Sequence, residues 1–317
     1  MSKLQKALDA LRNMPVPDDK QVGGGRSFAK QKSQPAHNES AEVLGPNWHN
    51  DVDTDLKPIQ TVHIDVERLV ELRMLPPAAD EELIAQQFKR IKRPIIQLAF
   101  DNDLVSSDCA NVIMMASALP GAGKSFCAMN LANSIALERD FGVILIDADV
   151  LKPGISRALG LDQMVGLIDY LVEPDIDISD IMYASDMKDI IVIPSGKRHP
   201  ETTELLASRR MRDLVQNVSR RYRNHAIVFD TPPLLLTSEA QILAERVGQI
   251  VLVIEARESS QEAVMRALAM LDRDKPINAI LNKSRSADSG GYYSDNYGYY
   301  SSPLQYAKMS AGNDSNN

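Results

Sequence analysis

Val112-Ile-Met-Met-Ala-Ser117-Ala-Leu-Pro-Gly121-Ala-Gly-Lys124-Ser125 is the stretch whose reading decides the fold. An unbroken apolar run opens into a turn with two glycines, a lysine and a serine. A helical apolar pattern follows through Phe126, Met129, Leu131, Ile135 and Leu137. Such a run fits a strand buried on both faces, as strands of parallel sheets are. The glycines let backbone N–H groups curl around phosphate oxygens, and the next helix points the positive end of its dipole at the same place. Lys124 is then placed for the β- and γ-phosphates, and the Ser125 hydroxyl for Mg²⁺. The glycine usual six positions before the lysine is Ala118 here. Pro120, Gly121, Ala122, Gly123, Lys124, Ser125 and Phe126 make up the expected nucleotide-binding stretch.

Two acidic strand ends reinforce that reading. Val143-Ile-Leu-Ile runs into Asp147-Ala-Asp149, and Ala226-Ile-Val-Phe into Asp230-Thr-Pro-Pro. Asp230 suits a carboxylate that holds Mg²⁺ directly or through water. Asp147 and Asp149, two apart on an extended segment, project to one face and can share metal binding and proton abstraction. Further apolar runs lie at Ile190–Ile193, Ile250–Ile254 and Ala279–Leu281, with helical patterns at 124–138, 166–172, 202–221, 238–246 and 260–271. The alternation predicts an α/β fold, a mostly parallel sheet covered by helices on both faces. Ligands of such sheets bind at the carboxyl ends of the strands. Ser125, Asp149 and Asp230 are the expected metal set, and Lys124, Asp147 and Asp149 the expected catalytic set.

Around this core the chain divides. Residues 1–13 put Leu4, Ala7, Leu8 and Leu11 on one helical stripe, and 14–60, rich in Gly, Pro, Ser, Asn and Asp, read as a flexible linker. The nucleotide-binding domain is expected over 61–283, with 61–107 as a helical extension. In that extension 61–75 reads as a strand plus a helix, and Asp80 is expected to cap a helix reaching about Ile96 through the basic run Lys89-Arg-Ile-Lys-Arg93. Residues 284–317 hold Ser, Gly, Asn and Tyr with few aliphatics, which predicts a mobile tail.

A net charge of −8 argues against a general nucleic-acid binder. No apolar run approaches the ~20 residues needed to span a bilayer, and the charged N-terminus does not read as a signal peptide. Cys109 and Cys127 show neither metal spacing nor a disulfide framework, which suits small core residues in a reducing cytoplasm. Aromatic residues are scarce, so the six of nine tyrosines that follow residue 290 stand out as candidate phosphate acceptors: Tyr292, Tyr293, Tyr297, Tyr299, Tyr300 and Tyr306.

With these residues in view, the chain over roughly 80–306 resembles the bacterial protein-tyrosine kinases, P-loop autokinases of exopolysaccharide and capsule export. It is most similar to the soluble ones of exosortase-type polysaccharide loci. The motifs are Ser117–Ser125, Ile144-Leu-Ile-Asp147-Ala-Asp149, Phe229-Asp-Thr-Pro-Pro233, Pro194-Ser-Gly196, Thr203-Glu-Leu-Leu-Ala-Ser208, the Phe88–Pro94 segment and the tyrosine tail. The family's loop often lacks its first glycine, as Ala118 does here. The resemblance implies a P-loop NTPase of the deviant-Walker, partition-ATPase-like class, using ATP and Mg²⁺ to phosphorylate tyrosines of its own tail. It also implies a homo-oligomer with the tail in a neighbour's site, an adenine contact at Asn282, and stimulation by a chain-length-determinant membrane protein. The location would be cytoplasmic, peripheral at the inner membrane through that partner.

Three departures stand out. Ala122 replaces a frequent glutamate, and Leu151 a frequent arginine. The ring-forming Glu-x-x-Arg-x-x-Arg pattern survives only as Gln86, Lys89 and Lys92. Two other readings compete. A partition or septum-positioning ATPase would carry a lysine where Leu119 stands and would lack the tyrosine cluster. A non-catalytic regulator of polysaccharide export would bind nucleotide only as an assembly signal.

Overall fold

A computed structural model describes residues 59–101, 109–187 and 189–284. Eight strands form one sheet: β1 (Gln60–Val62), β2 (Val112–Ala116), β3 (Gly142–Asp147), β4 (Tyr183–Ser185), β5 (Ile190–Ile193), β6 (His225–Asp230), β7 (Gln249–Glu255) and β8 (Ile277–Asn282), in the order β1-β4-β5-β3-β6-β2-β7-β8. All neighbours run parallel except β4 and β5. β2, β3 and β5 are buried at every position, which is why their sequences show no alternation.

Alternate residues of these strands feed two cores. On one face Met114, Ile144, Ile193, Phe229 and Leu252 meet Leu206 of α6 (Thr202–Ala207), Met211, Leu214 and Val218 of α7 (Arg209–Arg221) and Leu243 of α8 (Ser238–Arg246). α5 (Leu167–Val172) and α9 (Gln261–Ala269) complete this layer. On the other face Ile113, Met115, Leu145, Val192 and Val228 meet Met129, Leu131 and Ile135 of α3 (Lys124–Ala136). Outside α3 lie Phe88 and Ile95 of α2 (Glu81–Phe100) and Leu69 of α1 (Val66–Glu71). The sheet is therefore mostly parallel and covered on both faces, as its sequence predicts.

Some elements differ from expectation. The helix expected to stop near Ile96 runs on to Phe100, with Pro94 inside it and no side-chain cap from Asp80. Burial of Phe88, Lys92 and Ile95 carries it past the hydrogen bond that Pro94 removes. The single helix expected over 202–221 is two, broken at Ser208, whose extended backbone and hydroxyl, accepting from Met211 N, cap α7. β4, the 3₁₀ turn Ile178–Ile181 and the short α4 (Gly154–Ala158) carry no sequence pattern strong enough to predict them. Lys92 is also not a surface residue. Its ammonium pairs with Glu138 at 2.7 Å and donates to the Ser134 carbonyl, pinning α2 to α3. The N-terminal stripe at 2–13 and the tyrosine tail lie outside the described residues. Among the described residues no helix is long and apolar enough to cross a membrane.

Candidate functional site

β2, β3 and β6 are adjacent, and their carboxyl ends deliver the site. The register places Asp147 beside Asp230 and Met115 on the other side of Asp230. Neighbouring strands lie about 4.8 Å apart, so two carboxylates end side by side with almost no solvent. Asp147 is 0% and Asp230 1% exposed. Burial and the Asp230 charge push the Asp147 carboxyl up to about 8. Burial pushes Asp230 up to about 6, against the Ser125 hydrogen bond and the Lys124 charge.

The loop after β2 closes over these acids. Gly121 and Gly123 both have positive φ, +86° and +88°, a conformation that side chains resist. Gly123 occupies the N-cap position of α3 and supplies no side-chain cap, so the first helical amides are left for a ligand. Lys124 opens that helix and is buried, its ammonium donating to the Ser117 hydroxyl at 3.1 Å. Burial lowers its proton affinity, and Asp230 and Asp149 raise it again. The Ser125 hydroxyl donates to Asp230 Oδ2 at 2.5 Å, while Asp230 Oδ1 is buried with no hydrogen-bond partner.

Asp147 is held from beneath. Its Oδ2 accepts from both the amide and the hydroxyl of Ser156, each at 2.8 Å, and the Ser195 amide donates to that hydroxyl at 3.0 Å. Its Oδ1 accepts from the Asp149 amide at 3.3 Å. Asp149, just past the strand, is only half-buried and accepts from the Lys152 amide. Burial raises its pKa, opposed by that hydrogen bond and by the Lys124 charge. The two aspartates thus share a face but not a depth.

Pro120–Ser125, Asp147, Asp149, Asp230 and Asn282 converge here. Phe126 does not face the loop with its ring, which meets Phe88 edge-on with centroids 6.3 Å apart. Asn282 donates to the Ala122 carbonyl at 2.8 Å. Residues 292–306, with all six tail tyrosines, lie outside the described residues. Sequence reasoning does not find Ser156, nor Lys283, whose ammonium bonds the Gly121 carbonyl and Glu255, because a single hydroxyl or charge leaves no periodic mark. Cys127 is buried in α3 and its thiol is pushed up to about 12 by burial, consistent with a core role.

The residues fit a magnesium–nucleotide pair. A hydroxyl and an orphaned buried carboxylate oxygen meet at the foot of an anion-binding loop. Among the described residues no group of three or more His, Cys, Asp or Glu is placed to hold a metal alone. Mg²⁺ commonly takes one or two carboxylates and completes its shell with phosphate and water, and Asp230 with the Ser125 hydroxyl can supply the protein's share.

A pH dependence follows from the buried acids. Both carboxyls are raised, so the folded, nucleotide-free protein binds more protons than the unfolded chain, and stability from these groups falls as pH rises from about 4 towards 8. Asp147→Asn removes the larger penalty. The melting temperature of the metal-free variant should gain on wild type between pH 5.5 and pH 8.5, by the equivalent of a few kcal/mol. Thermal melts across that range test it; a constant gap between the two proteins would contradict the burial argument.

Fold and site together define a P-loop NTPase. The ParA family, described as NUBPL iron-transfer P-loop NTPase, matches residues 108–282, more than half of the chain. The tyrosine-protein kinase YwqD of Bacillus subtilis is 32% identical over 222 residues, covering 69% of this chain and 87% of YwqD. The tyrosine-protein kinase CpsD of Streptococcus agalactiae is 31% identical over 194 residues, 60% of this chain and 81% of its own. Among solved structures, the VpsO kinase domain matches with TM-score 0.55 and 28% identity, over 66% of this chain and all of that one. The kinase domain of the Escherichia coli tyrosine kinase ETK shares the fold, with TM-score 0.55 and 22% identity, over 74% of this chain and 95% of ETK's. The chain belongs to the bacterial tyrosine-protein kinases.

Proposed function

We propose that this chain is an ATP-dependent autokinase that phosphorylates its own C-terminal tyrosine cluster, in trans, and thereby regulates exopolysaccharide polymerisation and export. The observation that carries the acceptor reading is where the other tyrosines stand. Tyr183 and Tyr222 are 3% and 4% exposed, and burial raises both phenols. Tyr183 donates to the Val165 carbonyl, and the Tyr170 ring lies under the Arg210 guanidinium at 4.3 Å. Tyr183 and Tyr222 are thus closed to a second active site, and Tyr170 is half-buried. Six of the nine tyrosines remain, all after residue 290.

Bound ATP and Mg²⁺ supply the phosphoryl group and neutralise its charge. The loop amides from Gly121 to Ser125 and the Lys124 ammonium hold the phosphates. Ser125, Asp149 and Asp230 hold the metal, directly or through water. Asp147 accepts the phenol proton, since a phenol of pKa ≈ 10 needs a nearby acceptor. Ser156 keeps that carboxylate in one orientation. Asn282 contacts adenine when nucleotide is bound. Activity depends on a chain-length-determinant membrane protein, which also brings this cytoplasmic chain to the inner membrane.

Asp147→Asn should lower the transfer rate by about a hundredfold or more and leave nucleotide affinity within a few fold, whereas Asp230→Asn should harm both. Nucleotide titrations beside autophosphorylation rates test the division of roles; equal losses of affinity in the two variants would sink it. Mg-ATP hydrolysis stimulated by DNA with no phosphotyrosine formed would decide for a partition-type ATPase instead.

A further inference from the structure

Two successive carbonyls of the phosphate loop are tied down from the far edge of the sheet. Lys283, the first residue after β8, donates from its ammonium to the Gly121 carbonyl at 2.7 Å, and Asn282 donates to the Ala122 carbonyl at 2.8 Å. Glu255, the last residue of β7, holds the same ammonium at 2.7 Å. β7 and β8 pair in register, with Glu255 opposite Asn282, and the Ala256 amide donates to the Asn282 carbonyl. The side chains therefore rise from one rigid strand pair. Gly123 makes room for the contact: a Cβ there would lie 2.2 Å from Asn282 Nδ2. Lys283 has a left-handed backbone, φ +58°, which a non-glycine residue adopts at a cost.

In a trans peptide the C=O of one residue and the N–H of the next point opposite ways. Turning the Gly121 and Ala122 carbonyls out to Lys283 and Asn282 turns the Ala122 and Gly123 N–H groups inward, where a phosphate needs them. We infer that Lys283, braced by Glu255, is a positioning residue that holds the nucleotide loop in its phosphate-accepting form before nucleotide arrives. The inference rests on the reading of this loop as the nucleotide site. Lys283 differs from Lys124 in role: one orders the loop from outside, the other meets phosphate from within.

The glutamate separates a clamp from a simple phosphate-binding charge. A lysine that acted directly on phosphate would be freed by losing Glu255, and nucleotide would bind more tightly. A clamp would be loosened, and nucleotide would bind more weakly. The test is titration of the full-length protein with a fluorescent ADP analogue, alongside thermal melts and autophosphorylation at saturating ATP. Wild type must bind ADP, or the loop reading itself fails. Lys283→Met is expected to weaken ADP about tenfold, equivalent to ~1.4 kcal/mol, and Glu255→Gln about threefold. Lys283→Arg should recover most of the loss. The transfer rate at saturating ATP should stay within about twofold of wild type, since a disordered loop is reordered by bound nucleotide. Unchanged affinity in Lys283→Met with an unchanged melting temperature would reduce the pair to a surface ion pair. Tighter binding in Glu255→Gln would overturn the clamp.

Discussion

Lys124→Met is expected to abolish phosphotyrosine formation, a loss of at least about a thousandfold, while the protein stays folded. The ammonium is buried and donates to the Ser117 hydroxyl, so a methionine of similar length fills the same space at the foot of α3. What disappears is a buried positive charge next to Asp230 and Asp149, whose fields act on Lys124 and which it steadies in return. Without it the two acids bind protons more readily, and the phosphates lose their cation at the point where negative charge builds up in transfer. The assay is phosphotyrosine detection on purified protein with Mg-ATP, with a thermal melt to show that the fold persists. Undiminished phosphorylation in a folded Lys124→Met chain would remove the loop from the mechanism.

The core of this molecule is legible because burial on both faces leaves an unambiguous trace. Val112–Met115, Val143–Ile146 and Ala226–Phe229 are continuous apolar runs, and a polar group the site uses follows each within two residues. The carboxyl-end rule then gathers Lys124, Asp147, Asp149 and Asp230 from sequence alone. β4 escapes notice because three residues are too short for a period, and its antiparallel pairing to β5 depends on a tertiary turn. Lys92 misleads for a different reason. A lysine in a basic run reads as a solvated face, yet its ammonium finds Glu138 and a carbonyl at the end of α3 and is drawn inside. Of the three positions in the ring-forming pattern, then, Lys92 is spent on internal packing and Gln86 bonds to Glu82 of its own helix. Ser156 and Lys283 are illegible in the same sense: hydroxyls and ammoniums acquire a role only when folding brings their acceptor, 9 and 162 residues away in sequence, to 2.8 and 2.7 Å.

Replacing Tyr292, Tyr293, Tyr297, Tyr299, Tyr300 and Tyr306 together with phenylalanine should remove most autophosphorylation and leave nucleotide binding unchanged. Phenylalanine keeps each ring and loses only the hydroxyl, so the signal reports the acceptor and not packing. The remaining tyrosines offer less: Tyr183 and Tyr222 are buried, and Tyr170 is half-buried with Arg210 stacked on its ring. Phosphotyrosine that persisted mainly at those three, mapped by mass spectrometry, would show that the cluster is not the substrate. A mixing experiment then separates self from neighbour. The Lys124→Met chain keeps its tail but lacks its cation, and the six-phenylalanine chain keeps its site but lacks acceptors. Incubated together with Mg-ATP, they should yield phosphotyrosine on the Lys124→Met chain if transfer runs in trans, and none if each molecule modifies only itself. Modification has a physical consequence as well. Each phosphate adds about −1.5 to −2 charges to a chain that already carries a net −8, and tails crowded together in an assembly would repel within a Debye length of about 8 Å at physiological ionic strength. Phosphorylated protein should therefore sediment as a smaller species than unphosphorylated protein, with the difference shrinking as salt is raised. An assembly whose size did not respond to phosphorylation at low salt would separate the kinase reaction from any cycle of assembly and release.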